Sequence, residues 1–254
     1  MKQISSIILV CLLLIACNKK KFFDGPEFYK DDFESYTNLS ELLPENDLLW
    51  SYSQLTRAEN FITIDSTKAH SGNKSLKFTA KKSDASGASK ASIAKQKMAF
   101  WDGETVRMSA WYFIEGTNEL EWLFLLDLEE QATIGAGPGM RLALVDNQLR
   151  IEYKFNEKDI IQPPEQAIEF PRNEWVELIW EVKLSQKKNG SVRLWQNGVL
   201  IIDSKGNRTS PRDLLYFQQG TKGMYSSCEL GITANSKSND LTLWVDDFKI
   251  EKVE

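Results

Sequence analysis

Apolar and polar residues alternate along much of this chain, most regularly between Glu174 and Asp203. There, Val176, Leu178, Trp180, Val182 and Leu184 share one parity, while Glu177, Glu181 and Lys183 share the other. A period of two sends the two sets to opposite sides of a strand, as in an antiparallel sheet with one buried face. Asn189-Gly190 and Asn197-Gly198 divide the stretch into three runs. Asn-Gly supplies the positive φ angles of a tight hairpin turn.

The same reading predicts strands at 29–35, 49–54, 61–66, 75–80, 91–98, 105–114, 121–128, 140–145, 148–155, 175–184, 191–196, 199–203, 228–234 and 241–251. A short helix is expected at 39–43, and Asp146-Asn147 reads as a tight turn. Many short strands with no helices between them predict an all-β fold, a two-sheet antiparallel jelly-roll sandwich over residues 28–254. Long connections at 83–88, 157–173 and 204–227 have the character of lids or binding loops.

The N-terminus departs from this pattern. Met1-Lys2 leads into an apolar run that ends Leu14-Ile15-Ala16-Cys17, too short to span a bilayer. A basic start, an apolar stretch and small residues at a cleavage point describe an export signal over residues 1–16. Leu-Ile-Ala-Cys resembles the lipobox of bacterial lipoproteins. The resemblance implies lipidation of Cys17, a tether over residues 17–27, and anchoring to the cell envelope, on the outer membrane. Acyl chains add about 0.8 kcal/mol of membrane affinity per buried methylene. An ordinary secretory signal with a chance cysteine is the alternative.

Loss of residues 1–16 would also remove Lys2 and Cys11, changing the net charge from −5 to −6. That acidity argues against a nucleic-acid partner, which needs a concentrated basic surface. With Cys17 lipidated, Cys228 has no disulfide partner and is expected as a buried structural thiol.

Two terminal segments carry a resemblance to concanavalin A-like jelly rolls, including laminin-G-like domains and carbohydrate-binding modules. They are Asp31-Asp-Phe-Glu-Ser-Tyr36 with Ala69-His-Ser-Gly-Asn-Lys-Ser-Leu-Lys-Phe78, and Leu243-Trp-Val-Asp-Asp-Phe-Lys-Ile-Glu251. In such domains the first and last strands pair and hold a structural calcium. By strand parity Asp246 falls with Trp244, Phe248 and Ile250 on the apolar side, where an unpaired carboxylate costs several kcal/mol. Calcium would neutralise it, held by Asp246, Glu34 and carbonyls of the turn at Gly72 and Lys74. Backbone amides, or Lys74 itself, are the alternative partners.

Serine-hydrolase and zinc chemistries are excluded by a single histidine, His70, and by the lack of a nucleophile elbow or a Cys/His cluster. The acidic strand Glu121–Glu130 resembles that of laminarinase-type glycoside hydrolases, but Leu125 occupies the nucleophile position before Asp127 and Glu129. Tyr216-Phe-Gln-Gln-Gly220 followed by Tyr225, with Arg107-Met-Ser-Ala-Trp111, resembles segments of jelly-roll polysaccharide lyases. Such lyases take a proton next to a uronate carboxylate, so they need a base and a group that neutralises that carboxylate. The resemblance implies Tyr225 as base and Arg107 as its partner. Gln218 stands where the family has lysine, and the family's glutamine-x-histidine motif is missing from 121–128.

Alternate residues opposite the core faces suggest a polar groove for a polysaccharide. It would be lined by Arg107, Trp111, Asp127, Arg141, Arg150, Arg193 and Trp195, with Tyr216 from the last long loop. Guanidinium forks suit acidic groups on a glycan, and indoles suit the apolar faces of sugar rings. The primary expectation is a lipid-anchored domain that binds an extracytoplasmic, acidic polysaccharide. A lyase acting by β-elimination on a uronic-acid glycan is the first alternative, and an adhesion lipoprotein with protein partners the second.

Overall fold

The structure, a computed structural model, describes residues 24–130, 139–210 and 224–253. Its elements in chain order are β1 (Phe28–Asp31), α1 (Leu39–Leu42), β2 (Tyr52–Leu55), β3 (Phe61–Asp65), β4 (Ser75–Ala80), β5 (Ser89–Lys95), β6 (Phe100–Trp101), β7 (Thr105–Ile114), β8 (Trp122–Glu129), β9 (Gly139–Val145), β10 (Gln148–Tyr153), β11 (Ile160–Ile161), β12 (Trp175–Lys183), β13 (Gly190–Gln196), β14 (Val199–Asn207), β15 (Met224–Tyr225), β16 (Ser227–Asn235) and β17 (Leu241–Val253). Each strand expected from the alternation is present, and β6, β11 and β15, two residues each, are additional.

Two antiparallel sheets form the sandwich. Sheet I has eight strands in the order β14-β13-β12-β7-β17-β4-β3, with β1 also paired to β17. Sheet II has seven, in the order β11-β10-β9-β8-β16-β5-β2. The first and last strands pair in the register Phe28↔Glu251 to Asp31↔Phe248. Between the sheets lies one core, which includes Met108, Tyr112, Leu178 and Trp180 from sheet I and Leu128, Leu142, Ile151 and Leu230 from sheet II. Cys228 is a free, buried thiol within it, pushed up to about 12 by burial.

The turns follow local backbone chemistry. Asp146 and Asn147 both take positive φ, 50° and 61°, and join β9 to β10. Asn197 and Gly198 do the same at 49° and 75° between β13 and β14. Asn189-Gly190 is not such a turn, because Gly190 begins β13 and the chain takes the longer path 184–189 from β12. Glycine is needed there for space: a Cβ would lie 2.7 Å from the Lys183 carbonyl oxygen and 2.9 Å from that of Asn207.

Two irregularities correct the parity expected from the sequence. In β17 the register shifts between Asp246 and Lys249, and Asp247 is left-handed at φ 51°. Leu243 and Val245 before the bulge, and Phe248 and Ile250 after it, therefore all join the core. Trp244 and Asp246 turn outward and are buried there instead by the segment 65–71: Trp244 donates to Asp65 and Asp246 accepts from His70. In β8 the register shifts between Phe124 and Leu126. Leu126 and Leu128 then enter the core, while Phe124 meets Arg141, and Asp127 and Glu129 meet Lys154, on the outer face.

Candidate functional site

Polar side chains collect on the outer face of sheet II. Pairing of β2, β5, β16, β8, β9 and β10 aligns Tyr52, Ala94, Glu229, Asp127, Arg141 and Glu152 in one row across the strands. At the middle of the row Asp127 and Glu229 are only 2 % and 3 % exposed, and Glu129 beside them is 7 % exposed. Carboxylates buried this deeply require compensation.

Cations and hydroxyls provide it. The Lys154 ammonium, just past β10, lies 2.5 Å from Asp127 Oδ2 and also donates to Glu129. Arg141 Nε is 4.0 Å from Asp127, and its guanidinium lies 4.1 Å above the Phe124 ring. Thr233 donates to Asp127, Ser92 donates to Glu229, and Lys90 Nζ is 3.6 Å from Glu229.

Electrostatics separate these groups. Burial pushes Glu229 up to about 7, with Lys90 opposing the shift and Asp127 adding to it. Glu129 is also raised, chiefly by burial, against the pull of Lys154. Burial alone would lower Lys154, but Asp127 and Glu129 outweigh it and hold the ammonium charged. Burial, with Glu229 and Glu129 adding, pushes the Tyr52 phenol up to about 12. The face thus holds Glu229, a carboxylate pushed up to about 7, beside the Tyr52 phenol, pushed up to about 12. Oxygens of Asp127, Glu129 and Glu229 lie within 4.8 Å of one another, close enough for a cation, and Lys154 already fills that role toward two of them.

The single groove expected from the sequence is divided between opposite faces. Arg107, Trp111, Arg193 and Trp195 belong to β7 and β13 of sheet I, whereas Asp127, Arg141 and Arg150 belong to β8, β9 and β10 of sheet II. Strand parity gave the outward set correctly, but the two sheets turn their outer faces away from each other. On sheet I, Arg107 and Arg193 are both bound by the buried carboxylate of Glu181. Arg150 pairs with Glu152 at 3.6 Å on sheet II.

Tyr225 does not meet Arg107. It is fully buried, pairs with Phe100, and its phenol donates to the Thr209 carbonyl at 2.7 Å. Burial, then Glu130, Tyr153 and Glu129, push that phenol well above its ordinary value, the wrong direction for a base. Tyr216 and Cys17 lie outside the described residues. The sequence reading missed Glu229, Lys154, Lys90, Ser92 and Tyr52. A usable signal was Glu229 in Cys228-Glu-Leu-Gly-Ile-Thr-Ala, a lone acid in an otherwise uncharged run.

The residues expected at the calcium turn do come together. Glu34 Oε1 accepts from the Asn73 and Lys74 amides at 2.8 and 2.6 Å, and its carboxylate packs where a Cβ on Gly72 would sit. Asp246, fully buried, accepts from the amides of His70, Ser71 and Asp247. The carbonyls of Glu34 and Tyr36 converge on one point, where the Lys74 ammonium sits at 2.9 and 2.8 Å. Amides thus serve both carboxylates, and Lys74 contributes as a cation. Burial still pushes Asp246 up to about 6 despite these donors.

A jelly-roll sandwich with a row of buried polar side chains on the outer face of one sheet defines the class of protein. Within that class, the sequence profile of the polysaccharide lyase family matches residues 46–249, and the chain belongs to this family. Among solved structures it is similar to an endo-β-1,4-glucuronan lyase from the fungus Trichoderma reesei, with TM-score 0.65 and 11 % identity over 91 % of this chain and 96 % of that one. It is also similar to the cellulose-induced protein Cip1, with TM-score 0.62 and 18 % identity over 87 % and 96 % of the two chains. The alginate lyase Aly36B in complex with alginate tetrasaccharide gives TM-score 0.58 and 11 % identity over 91 % and 99 %. At these identities the likeness is one of fold. No curated protein matches in sequence.

Proposed function

We propose that this protein is a polysaccharide lyase that cleaves a uronic-acid glycan by β-elimination on the outer face of sheet II. Family membership favours this reading over the binding-only role that the sequence suggested first. The observation that carries it is Glu229, a buried carboxylate pushed up to about 7, with Lys90 3.6 Å away and Arg141 4.0 Å from its neighbour Asp127. A general base works best when its pKa is close to the working pH.

In the proposed reaction Glu229 takes the proton from C5 of the uronate. The electron pair left behind forms the C4–C5 double bond as the C4–O bond to the preceding sugar breaks. The leaving oxygen receives a proton from Tyr52, whose raised phenol is protonated at neutral pH. Lys90 and Arg141 flank Glu229 and Asp127 and would neutralise the substrate carboxylate, which acidifies the C5 proton.

The test is incubation with a panel of uronic-acid polysaccharides, including glucuronan and alginate, while ultraviolet absorbance of unsaturated products is followed. Absorbance that grows with the native protein and is lost in a folded Glu229→Gln variant supports the proposal. Binding without absorbance from any substrate would return the protein to a binding role.

Two further readings belong with this proposal. Anchoring through Cys17 would hold the enzyme at the envelope, and fatty-acid labelling that survives Cys17→Ser would reject it. Calcium at the Glu34–Asp246 turn would supply the neutralisation that three amides leave incomplete. It would have to displace Lys74 from the converging carbonyls.

A further inference from the structure

The outer face of sheet I carries a cavity, on the side of the sandwich away from Glu229. It has a volume of about 520 Å³ and lies over the bulge of β17, between β7, β12 and the segment after β1. This is within the range of about 300–1,000 Å³ typical of small-molecule sites. Its aromatic wall is Trp111. The His70 ring stacks on that indole at a centroid distance of 3.7 Å and an angle of 11°, and His70 Nδ1 is held 2.8 Å from Asp247. The indole is therefore fixed before any ligand arrives, so little ordering cost remains for binding.

The polar lining is mixed. Among the described residues the Glu177 carboxylate, the Ser35 and Ser109 hydroxyls and the Lys30 ammonium make no side-chain hydrogen bond or ion pair, and all four line the cavity. Donors and acceptors left open beside a flat ring match the hydroxyls and apolar face of a sugar. Charge then selects the kind of sugar. Asp31, Asp32, Glu177 and Asp247 line the cavity against Lys30 and Lys249, and Lys249 is already paired with Glu251 at 2.8 Å. A uronate carboxylate would be repelled by such a lining.

We infer that this cavity is a subsite for an uncharged sugar unit, separate from the sheet II face that the proposed function assigns to the uronate. The choice of a sugar over other hydroxyl-bearing ligands rests on the lyase reading. A polymer carrying both acidic and neutral units could then be gripped on one face and cleaved on the other.

The experiment is calorimetric titration of the full chain, carrying Glu229→Gln to prevent turnover, with uncharged gluco-, galacto-, manno- and xylo-oligosaccharides and with alginate oligosaccharides. At least one uncharged series should bind, and Trp111→Ala or Glu177→Gln should weaken it at least tenfold. Trp111→Phe, which keeps a stacking ring, should restore most of the affinity. If Trp111→Ala loses its circular dichroism signature, Ser109→Gln replaces it, because a larger side chain there fills the cavity without removing the stack. Failure of every uncharged series to bind, binding indifferent to these substitutions, or binding of lysine-rich peptides instead would each overturn the inference. Loss of the lyase reading would appear separately, as absence of unsaturated products from the native chain.

Discussion

Lys154 places its ammonium 2.5 Å from the Asp127 carboxylate, although β9 lies between the strands that carry the two residues. The lysine reaches across its neighbour and also serves Glu129, so three buried charges share one compensation. Removing either side of such an arrangement is costly, because the remaining charge stays buried without its partner.

Lys154→Met should therefore destabilise the fold by about 3–5 kcal/mol. Adding Glu129→Gln should recover part of that loss, since one of the abandoned carboxylates is then neutral. Urea unfolding of the single and double variants measures both effects, and additive losses would mean that the pair is uncoupled.

Glu229→Gln should reduce lyase activity by about 10²–10⁴-fold, the usual contribution of a general base. On the lyase reading, activity of the native protein should rise with pH through about 7, because the working form of Glu229 is ionised. A pH–rate profile with no inflection in that region would assign the base elsewhere.

Stability should run the other way. Glu229 and Asp246 are pushed up to about 7 and about 6 in the folded protein, above the ordinary carboxylate value of about 4. Between those values the folded state binds more protons than the unfolded state, so their contribution is complete below pH ~4 and fades as pH rises toward 7. Tm should fall between pH 5 and pH 8, and fall less in Glu229→Gln. A Tm slope unchanged by that substitution would count against the raised carboxylate.

Gly231→Ala should cost about 1–3 kcal/mol by overpacking. Its φ is 113° and a Cβ there would lie 2.5 Å from the Phe78 ring in the core. Phe78→Leu should relieve part of the cost, which thermal melts of the four combinations would read.

Calcium is checked by melting in excess chelator and then in excess calcium. Bound ion at one hundred times its Kd would add about 2.7 kcal/mol, and Asp246→Asn should abolish the difference. Identical melts would leave the turn held by amides and Lys74 alone.

The strands were legible because each sheet buries one face, and alternation records that directly. Thr105–Ile114 and Ser75–Ala80 have the expected ends residue for residue. Parity failed where the chain carries a bulge, since counting by twos assumes an unbroken register. Asp246 was misplaced for that reason, and so was Leu125, which alternation sets on the face of Asp127 and Glu129 but which lies in the core. The site was less legible still. Its row of side chains comes from six strands whose order in space is not their order in sequence, and outward parity alone does not say which sheet a strand joins. Arg107 and Arg141 therefore read as neighbours when they occupy opposite sides of the molecule.

The left-handed step at Asp247 gives the final strand a frame, much as a codon boundary gives one to a message. Pairing the intact sequence straight through this point, with no residue bulged out, would carry Lys249 and Glu251 inward and expose Phe248 and Ile250 to water. Because β1 is paired to this same segment, both ends of the domain would come loose together.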